Sequence, residues 1–292
     1  MKGDVFMSKN RSIKNQVKGE LMKKLAIGKS HHKAKMESVD GVSEKIHSWS
    51  TYENYVKHAV AFGKWVKPRF DVKDIKDMRP YVGMYLNFRI GDGVSPWTVA
   101  LDAAALAKLY GCKSTDFGVK FPKRCRSDIK RSRGDIKGFK EEKYEDIVDF
   151  CKGSGVRIHE LKALTKEDIF YKEKALYVHV KQGKGGKERE VPVREGYEKA
   201  VLNAVGKCKE ANEKIFKKED IPSRFPCHRY RAEYAKAQYM KLARDVSTIP
   251  DNEKYICRKD KAGQVYDKVA LHAVSVMLGH NRECVVVDNY LY

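Results

Sequence analysis

Two short runs, Ala175-Leu176-Tyr177-Val178-His179-Val180 and Glu190-Val191-Pro192-Val193, alternate apolar and polar residues around Gly183-Lys184-Gly185-Gly186. Period-two runs flanking a glycine-rich turn predict a β-hairpin. Most of the remaining chain repeats at the helical period, apart from an irregular stretch around Pro250 to Gly263. The expected fold is therefore mainly α with a small β-hairpin or sheet, an α+β class. With 292 residues, two modest domains fit better than one, and 42% apolar content is enough for packed cores.

Residues 1–45 form a lysine-rich arm in which Ile13, Val17, Leu21 and Leu25 recur at four-residue steps, predicting one amphipathic helix. Gly28 to Lys33 reads as a breaker with basic flanks. Two readings of the arm stand side by side: a solvated tail with one docked helix, or an extra DNA-contacting arm. Residues 46–122 read as a helical domain. Ser50-Thr51-Tyr52-Glu53 has capping-box spacing, so a helix should start at Ser50, place Tyr55, Ala59, Phe62 and Val66 on one face, and end at Pro68. A second helix carries Val82, Tyr85 and Leu86 up to Gly91. Ser95-Pro96 caps a third with Leu101, Ala105 and Leu109. Trp49, Trp65 and Trp97 are assigned to this domain's core. Residues 123–138, rich in lysine and arginine, read as a linker. Residues 139–292 form the second domain, with helices expected from Glu141 and from Arg157, the latter bearing Leu161 and Leu164.

The formal net charge is +21. An excess of this size points to nucleic acid or an anionic membrane surface. Membrane is the weaker option, because no run approaches the ~20 apolar residues that span a bilayer. The first residues lack an apolar signal core. The seven cysteines include no C-x-x-C pair and are read as reduced thiols of a cytosolic protein. Cys227-His228 lacks the ligand spacing of a zinc site.

A set of polar residues in the second domain carries the chemistry. Arg157 follows the break Lys152-Gly153-Ser154-Gly155 at a helix start, where a guanidinium can grip two phosphate oxygens. Read blandly, it is a surface ion-pair residue. Lys184 sits on the hairpin turn and is either solubilising or a proton donor to a leaving oxygen. His228 and Arg231 are three apart on one helix face and can meet the same phosphate, although H-x-x-R is common by chance. His280 follows a helix-terminating glycine. Tyr290 offers a phenol of pKa near ~10, which needs a positive surround before it attacks phosphorus.

These residues stand in Gly155-Val156-Arg157-Ile158-His159-Glu160-Leu161, Gly183-Lys184-Gly185-Gly186-Lys187-Glu188-Arg189, His228-Arg229-Tyr230-Arg231, Leu278-Gly279-His280 and Tyr290-Leu291. In that order the chain resembles the tyrosine recombinases of the phage-integrase family, most nearly the integrases of mobile genetic elements. The resemblance implies a helical core-binding domain followed by a mixed catalytic domain. It implies that Tyr290 attacks a DNA phosphodiester to give a 3′-phosphotyrosyl link and a free 5′-hydroxyl. Arg157 and Arg231 would hold the non-bridging oxygens, Lys184 would be general acid, His228 would assist the tyrosine proton, and His280 would hydrogen-bond the phosphate. No cofactor or metal is implied. The implied partners are double-stranded DNA recombination sites clamped between the two domains, four protomers on two sites, and accessory DNA-bending or directionality factors. The implied location is the bacterial cytoplasm, at the nucleoid. The competing reading is a non-catalytic DNA-binding architectural or regulatory protein on the same scaffold.

The match departs from the family pattern in three places. Many members place the tyrosine nine residues after this histidine, where Asn289 stands; Tyr290 is one later, and Tyr292 is a rival. Tyr230 replaces the leucine of H-x-L-R, a packing change. Members often carry a further C-terminal helix that docks on a neighbour, whereas this sequence stops two residues after Tyr290, which leaves that subunit-exchange contact open.

Overall fold

The computed structural model describes residues 12–38, 41–125, 138–183, 185–258 and 261–291. The basic run Lys130-Arg131-Ser132-Arg133 of the expected linker lies outside the described residues, as do Lys184 and Tyr292. The chain divides into two compact units, Met1–Arg124 and Cys125–Tyr292. Among the described residues, no helix is long and apolar enough to cross a membrane.

The first unit is helical: α1 (Ile13–Met22), α2 (His31–Met36), α3 (Trp49–Phe70), α4 (Val82–Gly91) and α5 (Pro96–Tyr110). The long α3 packs against α1 and α5. Val17 and Leu21 of α1 are fully buried in the same core as Phe62, Leu86 and Leu106, so the amphipathic stripe docks α1. The helix stops at Met22, short of the expected Leu25. Leu25 instead forms an isolated parallel bridge with Ile46. The expected breaker at His31 to Lys33 is helical, because Ser30 Oγ accepts from Lys33 N and caps α2.

α3 corrects two boundaries. It starts at Trp49 rather than Ser50, because Ser48 accepts from Thr51 N at 3.2 Å and contacts Thr51 Oγ1 at 2.8 Å. It also runs through Pro68 to Phe70. A proline this close to the end deletes only a last-turn bond. The stop comes instead from Asp71, which adopts left-handed φ of 48°. Trp49, expected in the core, is 55% exposed and packs edge-on against Tyr52. Ser95 caps α5 as read, accepting from Thr98 N.

The second unit opens with a 3-10 turn at Glu141–Tyr144 that leads into α6 (Glu145–Ser154). α7 (Ile158–Leu161) is a single turn, so Leu164 lies past its end while still buried. The predicted hairpin is β2 (Ala175–Val180) and β3 (Arg189–Pro192), in register at Val178↔Val191. A further strand, β1 (Ile169–Lys172), pairs antiparallel with β2 to give the order β1-β2-β3. Leu176, Val178 and Val180 face the core, as the period-two pattern requires. α8 (Glu198–Gly206) and α9 (Cys227–Leu242) pack on α6. The stretch near Pro250, expected to be irregular, holds a second antiparallel hairpin, β4 (Lys254–Ile256) and β5 (Val265–Asp267). Its three-residue strands are too short to show periodicity. α10 (Lys268–Met277) and α11 (Glu283–Asn289) complete the unit. The core gathers Phe150, Tyr230, Tyr234 and Leu271, all fully buried. Tyr230 fills interior space in place of leucine, as expected of a packing change.

Gly155 sets the approach to the site. It ends α6 with φ of +59°, and a Cβ there would lie 2.4 Å from the Tyr234 ring. A left-handed turn pressed against an aromatic ring leaves room only for glycine.

Candidate active site

Arg157 N-caps α7. Its backbone N–H donates to Glu160 Oε2 at 2.8 Å and its Nη1 to Glu160 Oε1 at 2.7 Å, so the side chain is tied to its own helical turn. Its Nη2 donates to the Leu278 carbonyl at 3.0 Å.

Arg231 lies in the opening turns of α9 and is only 2% exposed. Each arm of its fork has a separate partner. Nη1 donates to the Gly155 carbonyl, Nη2 to the Leu278 carbonyl at 2.5 Å, and Nε to the Tyr290 hydroxyl at 3.1 Å. Leu278, just past α10, thus accepts from both arginines and holds the two guanidiniums side by side. Burial pushes the Arg231 pKa down, and Tyr290 partly offsets this. An arginine so placed still carries its charge.

His280 is set by the turn after α10. Its backbone N–H donates to the Ser275 carbonyl at 2.8 Å. Buried Ser275 also braces the turn, donating from Oγ to Arg282 O and accepting from Arg282 N. His280 Nε2 stands 3.2 Å from Arg157 Nη2, 3.5 Å from Arg231 Nη2 and 3.0 Å from the Tyr290 hydroxyl. Guanidinium groups only donate, so this geometry makes Nε2 the acceptor and places the imidazole proton on Nδ1. The Tyr290 hydroxyl then accepts from Arg231 and donates to His280.

Tyr290 caps the C-terminus of α11 and is 6% exposed. The residue one earlier, Asn289, bonds back to the Val285 carbonyl at 2.9 Å. Tyr290 is therefore the residue whose hydroxyl reaches Arg231 and His280. His228, three residues before Arg231 on α9, sets its ring 5.3 Å from the Tyr290 ring, tilted by 53°. Five of the six expected site residues, Arg157, His228, Arg231, His280 and Tyr290, are thus brought together.

Lys184 lies outside the described residues, but the root of its turn is defined. Gly183 N donates to the Lys187 carbonyl at 2.8 Å. A Cβ on Gly183 would sit 2.6 Å from that oxygen and 2.9 Å from Arg189 Nη1, so this turn also requires glycine.

Sequence reasoning assigned no role to Glu160 and Arg189. Arg189, at the start of β3, grips Glu160 with both ends of its fork, at 2.9 and 2.8 Å, and donates from Nε to the Met277 carbonyl. It therefore links the hairpin to α7 and to the end of α10. The available signal was the glutamate three residues after Arg157; its pairing across 29 residues is not a sequence pattern. Burial pushes the Glu160 carboxyl up, but the forks of Arg189 and Arg157 outweigh that and hold it at about 2.

A pKa depressed on folding stabilises the fold above the unfolded value and loses that contribution as pH falls through the folded value. From 4.5 down to about 2 this amounts to roughly 3 kcal/mol. Denaturant unfolding between pH 5 and pH 2 should show that loss in the native chain and a flatter profile in Glu160→Gln. Parallel profiles would refute the assignment.

The profile of the phage integrase family matches residues 137–291, just over half of the 292-residue chain. The chain is similar to the Tn1549 transposon integrase (residues 82–397), solved with circular intermediate DNA. Identity is 12% and the TM-score 0.48, covering 97% of this chain and 96% of that one. It is also similar to XerA recombinase, with 15% identity, a TM-score of 0.30, and coverage of 95% and 93%. No curated protein matches the chain significantly.

Proposed function

Because the chain belongs to the phage integrase family, that is, to the tyrosine recombinases, we propose that it is a site-specific DNA recombinase that integrates or excises a mobile element. The observation that carries this reading is the Tyr290 hydroxyl, held 3.1 Å from Arg231 Nε and 3.0 Å from His280 Nε2. A phenol between a fixed cation and a proton acceptor is arranged to become a nucleophile.

In the proposed reaction the Tyr290 oxygen forms a bond to a backbone phosphorus, and the bond from phosphorus to the 5′-oxygen breaks. The hydroxyl proton passes to His280 Nε2. His280 is then a cation that can donate to a non-bridging oxygen, the role expected of it. Arg157 and Arg231 hold the non-bridging oxygens and neutralise charge that builds up at phosphorus. His228 flanks the phenol and assists its deprotonation. Lys184 is assigned the proton delivered to the departing 5′-oxygen. Attack by a 5′-hydroxyl from another strand reverses the step and rejoins DNA. Because the phosphotyrosyl bond keeps the energy of the broken linkage, no nucleotide is consumed.

The proposed partners are double-stranded recombination sites bound by four protomers, with accessory DNA-bending or directionality factors. The net charge of +21 supports a DNA partner, since neutralised phosphates release counterions.

Covalent trapping tests the proposal. Nicked duplexes bearing candidate element ends are incubated with the protein in EDTA and resolved on denaturing gels, and mass spectrometry locates the modified residue. The expected result is a DNA adduct on Tyr290. Tight binding to the same duplexes without any adduct would favour a DNA-binding protein on this scaffold.

A further inference from the structure

The β4–β5 hairpin plays no part in the chemistry described so far, yet one of its residues reaches the segment that carries Tyr290. Lys261 lies in the connection between the two strands. Its Nζ donates to the Val287 carbonyl at 2.8 Å and to the Leu291 carbonyl at 3.0 Å. These oxygens flank Tyr290 on either side along the chain. Helix-end carbonyls lack partners within the helix, and a cation there is favoured. α11 is only seven residues long and has little internal strength. Beyond it, the amides of Tyr290 and Leu291 both bond to the single carbonyl of Val286. Lys261 therefore joins the chain before Tyr290 to the chain after it.

The hairpin that carries this lysine is firmly rooted. Asp267 at the end of β5 caps α10 through the amides of Val269 and Ala270. It also takes a two-pronged grip from Arg244 and fixes its own amide to the Tyr239 hydroxyl at 3.0 Å. Tyr239 belongs to α9, the helix that carries His228 and Arg231. A continuous line of bonded groups thus runs from the helix that holds the arginine, through the hairpin, to the backbone around the hydroxyl that the arginine meets.

We propose that Lys261 is a positioning residue for the nucleophile, setting the backbone on both sides of Tyr290 so that its hydroxyl meets Arg231 and His280. The inference rests on the recombinase reading for its effect on rate, but the anchoring can be read without chemistry. Lys261→Met keeps the stem and removes every donor. Lys261→Arg restores donors on a longer stem.

Single-turnover cleavage at saturating DNA should fall about 10- to 100-fold in Lys261→Met, the scale on which a displacement of about 1 Å costs rate. DNA affinity and thermal midpoint should stay close to native, and Lys261→Arg should recover most of the rate. Hydrogen exchange at the amides of Tyr290 and Leu291 should quicken in Lys261→Met. A Lys261→Met variant that cleaves at the native rate would overturn the proposal. So would a loss of rate that merely follows lost stability or DNA affinity, or unchanged exchange at these amides. If the native protein forms no adduct, the recombinase reading fails instead, and the exchange measurement alone decides whether Lys261 anchors the segment.

Discussion

Tyr290→Phe should bind recombination-site duplexes with native affinity and form no covalent DNA adduct. The substitution removes one oxygen from a buried ring and leaves the packing around it intact. That oxygen makes the hydrogen bonds to Arg231 and His280, while the ring keeps its contacts with both. Arg231 keeps its bonds to the Gly155 and Leu278 carbonyls, so its fork stays in place. The loss of one bond to a charged donor should lower stability by about 1–3 kcal/mol. Gel-shift titration and denaturing gels on the same duplexes separate the two effects. An adduct that persists and maps to Tyr292 would keep the reaction and move the nucleophile. An adduct on neither tyrosine in the native protein would end the strand-transfer reading.

What could be read ahead of the structure follows from the range of the forces involved. Ser95-Pro96 and Gly279 act on the turn next to them, so their effects were legible. The β2–β3 hairpin was legible because strand alternation and a glycine-rich turn sit together in the chain. The start of α3 was misplaced because Ser48 and Ser50 both offer caps, and only the folded chain shows which hydroxyl meets an amide. β4 and β5 were missed because three residues cannot display a period; Asp267, Arg244 and Tyr239 hold that hairpin through contacts made at a distance.

The site divides in the same way. Arg157, His228, Arg231, His280 and Tyr290 stand in short recognisable runs. Arg189, Ser275 and Lys261 act through partners distant in sequence or through backbone groups, and Glu160, whose three-residue spacing from Arg157 was legible, also pairs with Arg189 across 29 residues; no local pattern records those partners. The residues that the fold brings together around Tyr290 were therefore legible, while most of those that brace them emerged only from the fold.

Arg231 offers the sharpest test of whether this centre acts by charge and geometry together. Its three donor groups meet Gly155, Leu278 and Tyr290, that is, the end of α6, the turn after α10 and the proposed nucleophile. Lysine keeps the charge but offers one compact ammonium that cannot replace a planar fork serving three directions. Arg231→Lys should therefore lose about 100- to 1,000-fold in single-turnover cleavage, the usual cost of one donor to a charged transition state. It should still bind DNA.

The cause of that loss can be separated by changing the substrate. Replacing one non-bridging oxygen at the scissile phosphate with a methyl group removes a negative charge that the guanidinium would otherwise balance. If Arg231 stabilises charge at phosphorus, the difference between native and variant should shrink on this neutral linkage. If Arg231 only braces the Gly155 and Leu278 carbonyls, both substrates should suffer equally. Equal loss would return the arginine to the scaffold and leave Arg157 and His280 as the phosphate-binding pair.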